Sequence, residues 1–171
     1  MPGLVLGAAV VLVALILVRE SDLGAPPVVR GADAPAFELP RLEESEGRLA
    51  LSSLAGRVVL LNFWATWCEP CEREVPAMQR LYEALPRADF ELVAVSIDDD
   101  PALVTAFRDR YRMDFPILLD RDQRVYKTYQ TMGVPESLLI DRDGRIVERY
   151  VGPRDWDAPE YVERIRSLLE P

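Results

Sequence analysis

Phe63-Trp64-Ala65-Thr66-Trp67-Cys68-Glu69-Pro70-Cys71 holds both cysteines of the chain. It begins inside Val58-Val59-Leu60-Leu61-Asn62-Phe63, an apolar run of strand length, the pattern of a central strand covered on both faces. Beyond it Val75, Met78, Leu81, Tyr82 and Leu85 recur at spacings of three and four until Pro86, which reads as one helical stripe. The cysteines therefore fall at a strand-to-helix junction. A thiol there feels the positive end of the helix dipole, which favours thiolate, and a second sulfur one turn on can close a disulfide with the first.

Outward from this junction, Phe90–Ile97 reads as a second buried strand, and Asp100-Pro101 supplies an N-cap and first-turn proline for a helix to Tyr111. Pro116–Leu119 and Leu138–Asp141 read as further strands. Asp143-Gly144 turns a hairpin into Arg145–Val151, and Asp157 is expected to cap a closing helix to Leu169. On the amino-terminal side lie short strands at Phe37–Leu39 and Arg48–Leu51, then a helical turn at Ser52-Ser53-Leu54 stopped by Gly56. The predicted class is α/β, with a central mixed sheet flanked by helices and an N-terminal β extension. Asp98-Asp99-Asp100 reads as a solvated loop and cap rather than a metal site, since no other ligands are suitably spaced.

Three segments are expected. Residues 2–18 carry no charge and have no polar face, so residues 1–18 read as a membrane anchor or signal segment. Small-residue cleavage positions end at Ala25 and Ala34, but Pro26 and Pro35 follow them, which disfavours cleavage and favours an anchor. Residues 19–33, rich in Pro, Gly and charge, read as linker, and 34–171 as the folded domain. Arg19 just after the apolar run mildly opposes export, so the extracytoplasmic placement rests on the chemistry of the cysteine motif.

Composition narrows the chemistry. A formal net charge of -9 opposes nucleic-acid binding. The chain has no histidine, which removes Ser-His-Asp and Cys-His catalysis and histidine-ligated metals and haems. Two cysteines are too few for an ordinary structural zinc site, and Glu72 after Cys71 excludes a c-type haem attachment motif. No metal or cofactor is implied; two-electron thiol–disulfide exchange remains.

In that reading Cys68, in the first turn, is an accessible attacking thiol, and Cys71 resolves the mixed disulfide. Pro70 restricts the turn between them, and Glu69 sets negative charge beside the thiolate. Glu74, three residues beyond Cys71, is either an exposed helix charge or a buried carboxylate that shuttles a proton. Val134-Pro135, after Gly133, is a candidate cis peptide that would present the Val134 backbone to an extended substrate; from the residues alone trans is favoured, as for most X–Pro bonds.

Trp67-Cys68-x-x-Cys71 with Pro135 before a strand resembles the thioredoxin superfamily, and the order of elements matches its fold with a helix–strand insertion around 98–119. More narrowly, Phe63 to Pro76 (FWATWCEPCEREVP) resembles the membrane-anchored, extracytoplasmic oxidoreductases of the TlpA/ResA/DsbE group. The resemblance implies Cys68 and Cys71 as the redox-active disulfide pair and Glu74 as the group's buried helix carboxylate. Thioredoxin's buried Asp falls here on Asn62, which cannot titrate. Pro135 matches the group's cis-proline and Glu136 its Gly-x-Pro-Glu loop, with Ser137 in place of a common Thr. Trp67, Val134, Pro135 and Glu136 are then the expected substrate-binding positions. Implied partners are client disulfides, such as those of apocytochrome c, and an integral membrane thiol-transfer protein as electron donor.

Two alternatives stand beside this one. A peroxiredoxin-like peroxidase needs Pro and Thr ahead of its cysteine; Thr66 precedes Cys68, but no proline lies between Gly56 and Cys68. A client-binding module would hold Cys68–Cys71 as a merely structural disulfide.

Overall fold

The structure is a computed structural model that describes residues 27–170. Its centre is a five-stranded mixed sheet in the order β5-β4-β3-β6-β7. The strands are β3 (Val58–Trp64), β4 (Phe90–Ser96), β5 (Ile117–Leu119), β6 (Glu136–Ile140) and β7 (Ile146–Val151). β3, β4 and β5 run parallel; β6 is antiparallel to β3, and β7 to β6. A separate antiparallel pair, β1 (Glu38–Pro40) and β2 (Arg48–Ala50), forms the amino-terminal extension.

The helices are α1 (Glu69–Ala84), α2 (Pro101–Tyr111), α3 (Arg124–Thr128) and α4 (Pro159–Leu169). Side chains of β3 alternate between two cores, as strand geometry requires. Val58, Leu60 and Trp64 face α1, α2 and α4 through Val75, Met78, Leu81, Val104, Phe107 and Ile165. Val59, Leu61 and Phe63 face the other way, onto Phe37, Leu39, Leu49, Leu54 and Tyr129. The mixed α/β sheet and its N-terminal extension are those expected from the sequence, and the inserted α2–β5 unit forms the parallel edge of the sheet.

Several local expectations change. Asp157 does not cap the last helix: Ala158 is its N-cap residue without a side-chain bond, while the Asp157 carboxylate accepts from Arg80 Nε at 2.6 Å. That contact crosses between elements far apart in sequence, so local spacing could not show it. Helix α3, absent from the sequence reading, is nucleated by the buried Asp120 carboxylate, which accepts from the N–H groups of Val125 and Tyr126. β6 starts at Glu136, directly after Pro135, rather than at Leu138.

Packing also begins before residue 34. Val28 is buried in the second core, and Gly31 and Ala34 donate backbone hydrogen bonds to Ile146 and Gly144. The described end of the expected 19–33 linker is thus part of the domain. The expected anchor at 1–18 lies outside the described residues. Among the described residues no helix is long and apolar enough to cross a membrane.

Candidate active site

β3 delivers Trp64 to the edge of the core, and Ala65-Thr66-Trp67 turns the chain into α1. Cys68 is the N-cap residue of that helix. Its backbone is extended, and Cys71 N–H donates to Cys68 Sγ at 3.2 Å. That is one of the four donors a helix start leaves free, so the sulfur occupies the place an N-cap oxygen normally takes. Pro70 fits the first turn because its missing N–H would have had no partner there. Glu69 projects into solvent and pairs with Arg73 one turn on, which draws its charge along the helix surface.

Cys68 and Cys71 form a disulfide, with their Cα atoms 5.2 Å apart. The expectation of an accessible sulfur at position 68 needs correction: Cys68 keeps 5% of its surface and Cys71 1%. Both join the core cluster that contains Trp64, Val75 and Trp156, and this packing covers them. What exposure remains favours Cys68, and its neighbour Trp67 is 68% exposed.

Glu74 is buried, not an exposed helix charge, at 3% exposure. Asn62 Nδ2 donates to its Oε1 at 2.9 Å, while Trp156 Nε1 and the Arg154 N–H donate to Oε2 at 3.2 Å. Asn62 Nδ2 also donates to Ser137 Oγ at 2.9 Å, linking α1 through β3 to β6. Desolvation by burial pushes the Glu74 carboxyl from 4.5 up to about 7, against the opposing pull of these donors. Sequence reasoning identified Glu74 and Asn62 but missed Trp156 and Arg154, which come from the far end of the chain with no local signal.

The Val134-Pro135 peptide is cis, not the trans form favoured from the residues alone. Gly152 N–H donates to the Pro135 carbonyl at 2.9 Å. Glu136 points away from the Glu74 side: fully buried, its carboxylate pairs with Arg149 and accepts from the Met132 N–H. Arg149 also donates to the carbonyls of Val28, Tyr129 and Gln130, so one guanidinium joins the amino-terminal segment to the loop before the cis-proline. Met132, on that loop, is exposed.

Asp98 is not solvated as expected. Its carboxylate is buried against Ser96 and Thr66, whereas Asp100 caps α2 through the Ala102 N–H as predicted.

Residues 30–149 match the AhpC/TSA family. The thiol-disulfide oxidoreductase ResA of Bacillus thuringiensis (strain Al Hakam) is 37% identical over 136 residues, 79% of this chain and 78% of that protein. ResA of Bacillus subtilis (strain 168) is 38% identical over 130 residues, 75% of this chain and 71% of its own length. The crystal structure of a putative thiol:disulfide interchange protein DsbE from Chlorobium tepidum superposes with a TM-score of 0.73 at 33% identity, covering 83% of this chain and 99% of that one. With a paired Cys-x-x-Cys at the head of α1 and similarity that spans most of both chains, the chain belongs to the AhpC/TSA family, among its ResA-like thiol–disulfide oxidoreductases.

Proposed function

We propose that this protein reduces disulfides in particular client proteins outside the cytoplasm, held to the membrane by its amino-terminal segment, with Cys68 as attacking thiol. The observation that carries the reading is a disulfide at a helix N-terminus with a buried carboxyl poised near neutrality one turn further on. In the reduced enzyme the Cys68 thiolate attacks one sulfur of the client disulfide; the other sulfur leaves as a thiolate and takes a proton from solvent. Cys71 then gives its proton to ionised Glu74 and attacks Cys68 Sγ. The mixed bond breaks, the client leaves with two thiols, and the enzyme keeps the Cys68–Cys71 disulfide. Two electrons pass to the client, and the proton on Glu74 is released to the departing client sulfur.

A group that titrates near 7 can both accept and return a proton at neutral pH, which suits it to that relay. The proposed order of attack is supported by exposure, since Cys71 is the more covered cysteine. Trp67 and the loop of Met132, Val134 and Pro135 are the proposed docking surface, with the Val134 backbone pairing to an extended client segment. Glu136 acts from behind, holding that loop through Arg149 and Met132. The disulfide of an apocytochrome c before haem attachment is the leading client, and an integral membrane thiol-transfer protein is the electron donor. Both proposals draw on the similarity to ResA and DsbE. The peroxidase alternative loses ground because the Thr66 hydroxyl already donates to Asp98, so its proton is not free to be given to a peroxide.

Trapping tests this. Cys71→Ser in the full chain, produced in cells, should accumulate a mixed disulfide through Cys68 with extracytoplasmic proteins, recovered with membranes and identified by mass spectrometry. Absence of any adduct, or adducts with cytosolic proteins only, would refute the proposal.

A further inference from the structure

The turn that carries Cys68 is locked from a neighbouring strand. Asp98 lies just beyond β4 and is 4% exposed. Its carboxylate accepts from Thr66 Oγ1 at 2.6 Å, from the Thr66 N–H at 3.0 Å and from Ser96 Oγ at 2.8 Å. Ser96 Oγ in turn accepts from the Asp98 N–H at 3.1 Å. One residue earlier, Ile97 N–H donates to the Trp64 carbonyl at 3.1 Å. The β4–α2 connection therefore grips the β3–α1 turn at two successive points, and Cys68 is two residues beyond the second.

No ion pair holds Asp98 among the described residues. A buried carboxylate without a cation draws all its compensation from hydrogen-bond donors. Two of the three come from Thr66, so Thr66 cannot swing away without stranding the charge. Turn and carboxylate are mutually fixed, two residues before the Cys68 whose sulfur meets the Cys71 N–H.

We propose that Asp98 is a positioning residue for thiol exchange: through Thr66 it clamps the active-site turn and keeps Cys68 at the N-cap of α1. The proposal rests on Cys68 being the attacking thiol. It differs from a charge effect in the direction of its consequences. A negative charge acting on the sulfur through space would, when neutralised, make the thiolate form more readily. A clamp, when released, lets the sulfur leave the helix N-terminus and makes the thiolate form less readily.

The test uses the reduced full chain with Asp98→Asn, Thr66→Val, Thr66→Ser and the double variant Asp98→Asn with Thr66→Val. Iodoacetamide alkylation of Cys68 is followed against pH by mass spectrometry, with urea unfolding to verify folding. The clamp predicts that Asp98→Asn and Thr66→Val both raise the midpoint of the alkylation profile. The thiolate fraction on its acid limb should fall about 3- to 10-fold, a loss the size of one helix N-terminal interaction. Thr66→Ser, which keeps the hydroxyl, should match the parent. The double variant should be no worse than the worse single one, because both break the same contact. A lowered midpoint in Asp98→Asn with Thr66→Val unchanged makes Asp98 a charge and overturns the clamp; parent-like profiles in both variants overturn it too. Thr66→Val decides alone if Asp98→Asn does not fold. Failure of the underlying reading looks different: the parent protein itself would show no preference of the reagent for Cys68 over Cys71.

Discussion

Replacing Glu74 by Gln should remove a pH dependence of stability that this one side chain imposes. Below about pH 4.5 the carboxyl is protonated in folded and unfolded chains alike, and it contributes no slope. Between 4.5 and about 7 the unfolded chain releases its proton while the folded protein keeps it, so stability falls as pH rises. Above about 7 the group is ionised in both states and the loss is complete. At about 1.4 kcal/mol per pH unit, the full change is about 3 kcal/mol, a large part of a small domain's total. The oxidised enzyme suits the measurement, because its thiols are locked in the disulfide and the chain has no histidine to titrate in the same window. The buried Asp120 carboxyl is also raised by burial, but it is common to both proteins and cancels in their difference.

The assay is urea unfolding of oxidised wild type and Glu74→Gln from pH 4.5 to 8.5. The variant starts lower by about 1–3 kcal/mol, because a Gln amide presents an N–H₂ to a site whose three contacts are all donors. With rising pH that gap should close by about 3 kcal/mol, and the variant can become the more stable protein above neutrality. Two curves parallel to within about 1 kcal/mol would refute the reasoning, since Glu74 would then ionise in the fold as readily as in the unfolded chain. The same result would leave Glu74 ionised throughout the neutral range and remove its fitness as a proton relay.

Arg149→Met should lower stability by about 3–5 kcal/mol in urea titration, because it strands the fully buried Glu136 carboxylate. Adding Glu136→Gln should recover part of that loss, and a fall below about 1 kcal/mol for Arg149→Met would contradict the buried pairing. Trp67→Ala should leave stability within about 0.5 kcal/mol, as expected of a well-exposed side chain. It should slow reduction of a protein disulfide such as insulin more than that of a small aromatic disulfide; equal slowing of both would remove Trp67 from the docking surface.

The amino-acid sequence alone determined the junction at Cys68. An apolar strand run, a three-and-four helical stripe and two cysteines between them are all local patterns, and each survived in β3 and α1. The Asp100 N-cap was legible for the same reason, since its donor lies two residues away. Where distant segments meet, the tertiary structure decided. Burial of Glu74 depends on Asn62 from β3 and on Arg154 and Trp156 from the β7–α4 connection, and only that enclosure makes it a carboxyl that titrates near neutrality. Asp98 and Asp157 show the same limit from the other side. Both looked like ordinary loop or cap residues, and each took its role from a partner about 30 or more positions away. Local pattern is written into a sequence by backbone geometry, whereas desolvation and long-range hydrogen bonding exist only once the chain has closed on itself.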